Sequence, residues 1–172
     1  MTQTLYVLAA FAIGTGSALQ ISLVANMGRL RGPTEAAWIN VLGTFGGMAL
    51  VFLIGSLRDD PPNLPAPFDA PTPYVVAAVI TGIALAISVK GLEPYLALTG
   101  VFGFTYLFGA GYLAPKIGIA LFASAVTAGT LITSVGLDHI GAFGGEIHRV
   151  SMLRIAGLGA LMLGVVLVRS SR

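Results

Sequence analysis

The sequence predicts an all-α integral membrane protein, a bundle of five core transmembrane helices with a short sixth apolar segment. Three observations carry this expectation. Of 172 residues, 56% are hydrophobic and only 9% are charged, and the mean hydropathy of +0.91 lies outside the range of ordinary water-soluble domains. The apolar residues fall into runs close to the roughly 20 residues that a helix needs to cross a bilayer. Between the runs stand clusters of Gly, Pro and charge, the residues that end helices.

Composition also excludes chemistry. With no cysteine, disulfides, thiolate metal sites and cysteine nucleophiles are ruled out. A net charge of +2 is too small to attract a nucleic acid. No metal site or cofactor is expected.

The first span covers about 4–27. It opens in MTQTLYVLAAF, with no Lys or Arg ahead of the apolar run, and continues well past the length of a signal-peptide core, so it reads as a retained helix. RLRGPT (29–34) ends it, and Pro33 precedes a new start at Thr34 with Glu35 in the first turn. The second span is 35–57. RDDPPNLPAPFDAPTP (58–73) holds six of the nine prolines and is expected to be an extended, solvated connection. YVVAAVITGIALAISV (74–89) is short for a span. A short crossing is expected, because the segment lacks the polar face of a surface-lying helix. The remaining core spans are 94–114, 117–138 and 151–169, separated by Pro115 with Lys116 and by HIGAFGGEIHR (139–149). Residues 1–172 are expected to form one transmembrane domain.

Lys and Arg normally fix orientation. With six crossings, the side of the termini holds Arg58, Lys116, Arg169 and Arg172, and the other holds Arg29, Arg31, Lys90, Arg149 and Arg154, four against five. If 74–89 does not cross, the count is again four against five. Near-balance under either count predicts a weakly oriented chain that is able to insert both ways.

No Asp, Glu, Lys or Arg falls inside a span; Glu93, Asp138 and Arg154 sit at segment ends. A mid-membrane charge usually marks an ion or proton path, so any path here is built from neutral groups. Gly14, Ala18, Ser22 and Asn26 recur at i+4, as do Gly43 with Gly47, Ala125, Gly129 and Thr133, and Ala156, Ala160 and Gly164. Such spacing lets helix backbones approach closely. Gln20 lies about 120° round the first helix from the Asn26 strip at 100° per residue, at a depth similar to Asn40. These two amides either stitch the first two helices together or face a shared cavity.

Tyr106 shares a face with Thr99, Gly103 and Ala110 and falls near mid-membrane, away from the aromatic belts. Its hydroxyl needs a partner or a wet cavity. Ser124, Thr127, Thr130 and Ser134 fall within an arc of about 120°, and each is able to bond its own i−4 carbonyl instead of a ligand. Gln20, Asn40, Tyr106, Thr127 and Thr130 are the candidate substrate-binding residues. Gly14, Ala18, Ser22, Asn26, Gly43 and Gly47 are the candidate packing residues. Both histidines, His139 and His148, lie in a connection rather than at membrane depth, so no intramembrane enzyme is expected.

ALQISLVANMGRLRG (18–32), INVLGTFGG (39–47), GVFGFTYLFGAGYLAPKIG (100–118), IALFASAVTAGTLITSVGLDHIGAFG (119–144) and the final IAGLGALMLGVVLV resemble the YdcZ-like family. This is a bacterial family of half-length proteins in the drug/metabolite transporter superfamily. Gln-then-Asn in the first helix, N-x-x-G-T in the second and LDH-x-G near the end of the fourth core span are the most specific matches. The chain departs from the family at Gly129-Thr130, where relatives commonly have Gly-Gln, and at 74–89, where their connection is shorter and more polar.

The resemblance implies a bundle equivalent to half of a ten-helix transporter, working as a dimer in the bacterial inner membrane. An antiparallel dimer is known among small relatives in the superfamily, and the charge balance fits it independently. The membrane-embedded glutamate of those relatives has no counterpart here, so their proton coupling is not carried over. The expected function is transport of a small neutral or zwitterionic metabolite by a homodimer, antiparallel rather than parallel, or by a pair with a close paralogue. A channel and a non-transporting assembly protein are the alternatives.

Overall fold

The structure, a computed structural model, describes residues 2–58 and 60–170, apart from the side chain of Arg169. Asp59 and two members of the charge count, Arg172 and the Arg169 side chain, lie outside the described residues. The chain forms α1 (Thr2–Arg31), α2 (Pro33–Leu57), α3 (Thr72–Ser88), α4 (Thr99–Ile117), α5 (Ile119–Ile140) and α6 (Met152–Ser170). A 3₁₀ turn at Pro94–Leu98 leads into α4, and another follows α5 at Ala142–Gly144. Among the described residues there is no strand.

Among the described residues four helical stretches are long and apolar enough to cross a membrane: α1, α2, Pro94–Ile117 and α5. The apolar parts of α3 and α6, Thr72–Ser88 and Met152–Val168, are shorter. All six expected segments are therefore helical.

The helix ends differ from the sequence expectation in an instructive way. Arg29 and Arg31 do not break α1 but occupy its last turn, where cations complement the helix dipole. The break is Gly32, at φ 105°, a conformation that an L side chain resists. α2 then starts at Pro33 rather than Thr34, with Pro in the position that needs no N–H donor. Likewise Pro115 lies inside α4, which continues to Ile117. The change of direction falls on Gly118, at φ 84°.

The described chain divides into two compact units, Met1–Asn26 with Thr105–Arg172, and Met27–Phe104. In the first, α1 and α5 cross where two glycines face opposite backbones. A Cβ on Gly14 would collide with the Val126 carbonyl, and one on Gly129 with the carbonyl of Phe11. Ala10, Leu113, Ile117, Leu121, Phe122, Ala125 and Val126 form the buried cluster around this crossing. Within a bilayer such a cluster is held by close van der Waals contact, since lipid is as apolar as the protein interior.

Lys116 sits at the end of α4 with its Nζ 3.3 Å from the Tyr112 ring centroid and 5.1 Å from that of Tyr6, a cation–π pairing suited to a helix end at the interface. At the other end of α5, Asp138 and His139 organise the connection. The Asp138 carboxylate stands 3.7 Å from the Arg154 guanidinium, its backbone carbonyl accepts the His148 N–H at 2.9 Å, and His139 Nδ1 accepts the Val150 N–H at 3.3 Å. The LDH-x-G motif thus holds the start of α6 against the end of α5.

In the second unit α3 runs antiparallel to α2. Trp38 Nε1 donates to Ser88 Oγ at 3.3 Å. Gly46 faces Thr81, whose Oγ1 would stand 2.9 Å from an added Cβ, and the Phe52 and Tyr74 ring centroids are 5.1 Å apart. Residue numbers rise on one helix as they fall on the other, so α3 lies along α2 from Trp38 to Phe52. Arg31 closes the α3 end, donating to the carbonyls of Ser88 at 2.5 Å and of Lys90. The N-terminal part of α4 runs parallel to α2, with Gly100 against Gly43 and Phe104 against Gly47.

The Pro-rich connection is not simply extended and solvated. Turn hydrogen bonds join Phe68 to Pro65, Ala70 to Pro67 and Tyr74 to Pro71, and the buried Tyr74 hydroxyl donates to the Phe68 carbonyl at 2.5 Å. Leu64 and Phe68 thereby turn onto α2 and α3, where with Phe45, Phe52 and Tyr74 they line an apolar cavity of about 200 Å3.

Candidate functional site

In a membrane helix a Ser or Thr hydroxyl has two fates, its own i−4 carbonyl or a group elsewhere. Ser17 donates to Ile13 at 3.1 Å, Thr44 to Asn40 at 2.9 Å and Thr81 to Ala77 at 2.6 Å, all onto backbone carbonyls. Thr130 shares its hydroxyl proton between the Val126 carbonyl, at 2.9 Å, and the Gly14 carbonyl of α1, at 3.0 Å. It ties α5 to α1 at the glycine crossing. Thr133 adds a second tie, its hydroxyl 3.2 Å from that of Thr15.

Asn40 has a comparable role in the other unit. Its Oδ1 accepts the Thr99 hydroxyl at 2.8 Å, and Thr99 is fully buried. The sequence sets this amide level with Gln20, the two either stitching helices together or facing a shared cavity. Gln20 is partly buried on α1, in the first unit. Tyr106 is 40% exposed, with its ring 6.3 Å from Phe122 at a tilt of 53°.

Of the packing candidates, Gly14 and Gly43 sit at backbone crossings and Gly47 meets the Phe104 side chain. Ala18 is fully buried, while Ser22 and Asn26 are partly buried further along the same strip. On α6, Ala156 and Ala160 are exposed, and a Cβ on Gly164 would meet nothing within 4 Å.

Thr127 behaves differently from Thr130, three residues on. Thr127 and Ser124 line a cavity of about 380 Å3 between α5 and α6, with Ala123, Leu161, Gly164, Val165 and Val168 completing the wall. Neither hydroxyl is hydrogen-bonded within the described residues. On a helix, side chains at i and i+3 are neighbours about 5–6 Å apart, so the two hydroxyls form one polar edge on an otherwise apolar and small-residue wall. Ser124 was visible in the sequence as part of the hydroxyl arc on α5. Its pairing with Thr127, and the separation of both from Thr130, follow from where α6 packs.

Electrostatically the cavity is plain. Among the described residues none that lines it is charged, and no group of three or more His, Cys, Asp or Glu gathers to hold a metal ion. What the arrangement offers is two groups that each donate and accept hydrogen bonds. Its size falls within the range of about 300–1,000 Å3 typical of small-molecule sites.

No curated protein and no solved structure matches this chain. Residues 5–167, nearly the whole sequence, match the family described as "Putative inner membrane exporter, YdcZ". With its long apolar helices, the chain is a membrane-embedded protein and belongs to the YdcZ family of transport proteins.

Proposed function

We propose that the chain transports a small neutral or zwitterionic metabolite across the bacterial inner membrane, with the α5–α6 cavity as its binding site. The observation that carries this reading is the pair of unbonded hydroxyls, Ser124 and Thr127, inside that cavity. A hydroxyl left unbonded in an apolar medium is costly, and a helix offers its own carbonyl as an easy remedy. A ligand is the remaining use for a polar edge held open in this way. Gln20 and Tyr106 remain candidates for contact with substrate along its path. Asn40 and Thr130, bonded to Thr99 and Gly14, fit a role in holding helices together.

The working assembly in this reading is a homodimer, antiparallel in preference to parallel, or a pair with a close paralogue. Two observations support it. Ala156 and Ala160, one turn apart, are exposed on α6 and available for close helix packing. The Lys and Arg count is balanced at four against five whether or not α3 crosses, and the antiparallel register of α3 on α2 favours a crossing. The 17 residues of α3 span about 25 Å at 1.5 Å per residue, within reach of a locally thinned bilayer.

The test is reconstitution. Liposomes holding the purified protein are loaded with a mixture of neutral and zwitterionic metabolites, and the external medium is followed by mass spectrometry against protein-free liposomes. Protein-dependent, saturable release of a subset supports the reading. No release above control contradicts it, and a non-saturating ion conductance assigns the chain to channels instead.

A further inference from the structure

The α5–α6 cavity has a chemistry narrower than the transport reading requires. Among the described residues its lining holds no charged side chain. Arg154 and Asp138, on the two helices concerned, face each other at the far ends, 3.7 Å apart. A zwitterion placed beside Ser124 and Thr127 would therefore bring both of its charges into an apolar wall with only two hydroxyls to solvate them, and burial of unpaired charge is strongly unfavourable. A molecule with no formal charge meets no such penalty.

Position adds a second constraint. Ser124 and Thr127 are the sixth and ninth residues of the 22-residue α5, about 8–12 Å along the helix at 1.5 Å per residue, which places them at hydrocarbon depth. Ala123 and Thr127 are exposed on the flank of the helix, so the cavity opens sideways. A ligand reaching it from that side comes through the hydrocarbon of the bilayer, which a charged solute does not readily enter.

From these observations we propose that the cavity selects an uncharged amphiphile drawn from the bilayer, a compact apolar body carrying two hydrogen-bonding groups along one edge. The apolar body lies against Leu161, Val165 and Val168 of α6, and the polar edge meets the paired hydroxyls of α5. Gly164 leaves the α6 wall open where the body would sit. This proposal rests on the transport reading of the same cavity and narrows its substrate class to neutral molecules.

Three probes built on one ring, each with its two polar substituents on adjacent carbons, separate the classes: 2-hydroxyphenylacetamide, which is uncharged, ortho-tyrosine, which is zwitterionic, and 2-hydroxyphenylacetate, which is anionic. Binding is measured by equilibrium dialysis of labelled probe against the full chain in lipid nanodiscs, with empty nanodiscs as control. The expected result is saturable binding of the amide alone. That binding should weaken at least tenfold in the Ser124→Ala, Thr127→Val double variant and persist in Thr127→Ser, which keeps the hydroxyl. Both positions are at the cavity surface, so the double variant should fold, and its elution and helicity are checked alongside. Absence of saturable amide binding, binding of ortho-tyrosine as strong as that of the amide, or an unchanged double variant overturns the proposal. The transport reading fails separately, when proteoliposomes release no metabolite at all. Release of zwitterions without amide binding would overturn the neutral-ligand proposal and leave transport standing.

Discussion

The hydroxyl of Thr99 donates to Oδ1 of Asn40 across 2.8 Å, joining the first residue of α4 to the second turn of α2 beside the Gly43–Gly100 contact. Thr99 is fully buried, so its hydroxyl has no water to fall back on. Interhelical hydrogen bonds in membranes average about 0.6 kcal/mol, with a maximum near 1.7. Thr99→Val should therefore cost about 0.5–1.5 kcal/mol of stability. Asn40→Leu should cost more, about 1–3 kcal/mol, because it strands a buried donor. Helicity followed through an SDS titration gives both values, and the double variant should cost less than their sum. Strict additivity would show that the two residues act independently.

Glycine substitutions should divide sharply by position. A Cβ on Gly100 would fall on the Gly43 backbone, and no side-chain rotation relieves a clash with backbone. Gly100→Ala and Gly129→Ala should each cost about 1–3 kcal/mol or more, the usual penalty of overpacking. Gly111 and Gly136 have nothing within 4 Å of an added Cβ. Alanine there should be neutral or stabilising by up to about 1 kcal/mol, since it removes backbone freedom from a helix interior. Thermal aggregation midpoints in detergent would rank the four variants. Equal losses at all four would mean that the two crossings are not the tight points of the packing.

These contrasts mark what was legible in the sequence. The i+4 spacing of Gly14 with Ala18 and of Gly43 with Gly47 identifies close-packing faces, because small side chains at one-turn intervals have few other uses in a membrane. The identity of the opposite helix is not encoded in that spacing. The depth of Asn40 along its span was readable, but depth alone did not point to Thr99, the residue bonded to Asn40 Oδ1. Hydroxyl roles were unreadable for a related reason. Thr127 and Thr130 are equally able to bond their own helix, and only their neighbours, α6 for one and Gly14 of α1 for the other, send them to different fates. Helix ends followed glycine conformation rather than proline. Pro115 lies in the last turn of α4, close enough to the end that one missing donor does not stop the helix.

The Tyr74 hydroxyl should hold the Pro-rich connection in place. It is bonded to the Phe68 carbonyl at 2.5 Å, while the Phe68 side chain is itself 49% exposed. Tyr74→Phe removes this bond without changing the ring contact with Phe52. The expected global cost is about 0.5–1.5 kcal/mol, with a larger local effect: faster proteolysis within 60–70 and faster amide exchange at Phe68 and Ala70. Unchanged proteolysis would show that the turn hydrogen bonds around Pro65 and Pro67 hold the segment without help.

Orientation gives the most discriminating test, because the chain lacks cysteine and each introduced thiol is the only one present. A cysteine at Ala66 reports the connection before α3, and one at Gly91 reports the segment after it. A chain inserting both ways should be labelled at Ala66 from both faces of the intact membrane. Lys/Arg bias sets orientation, so adding two lysines between 60 and 65 should shift the labelled fraction at Ala66 toward the cytoplasmic face. If α3 crosses, as its antiparallel register along α2 implies, the fraction at Gly91 must move in the opposite sense by the same amount. Shifts in the same direction would place both ends of α3 on one side and remove the six-crossing arrangement. Labelling from one face only, before any lysine is added, would remove dual insertion and with it the charge-balance argument for an antiparallel dimer.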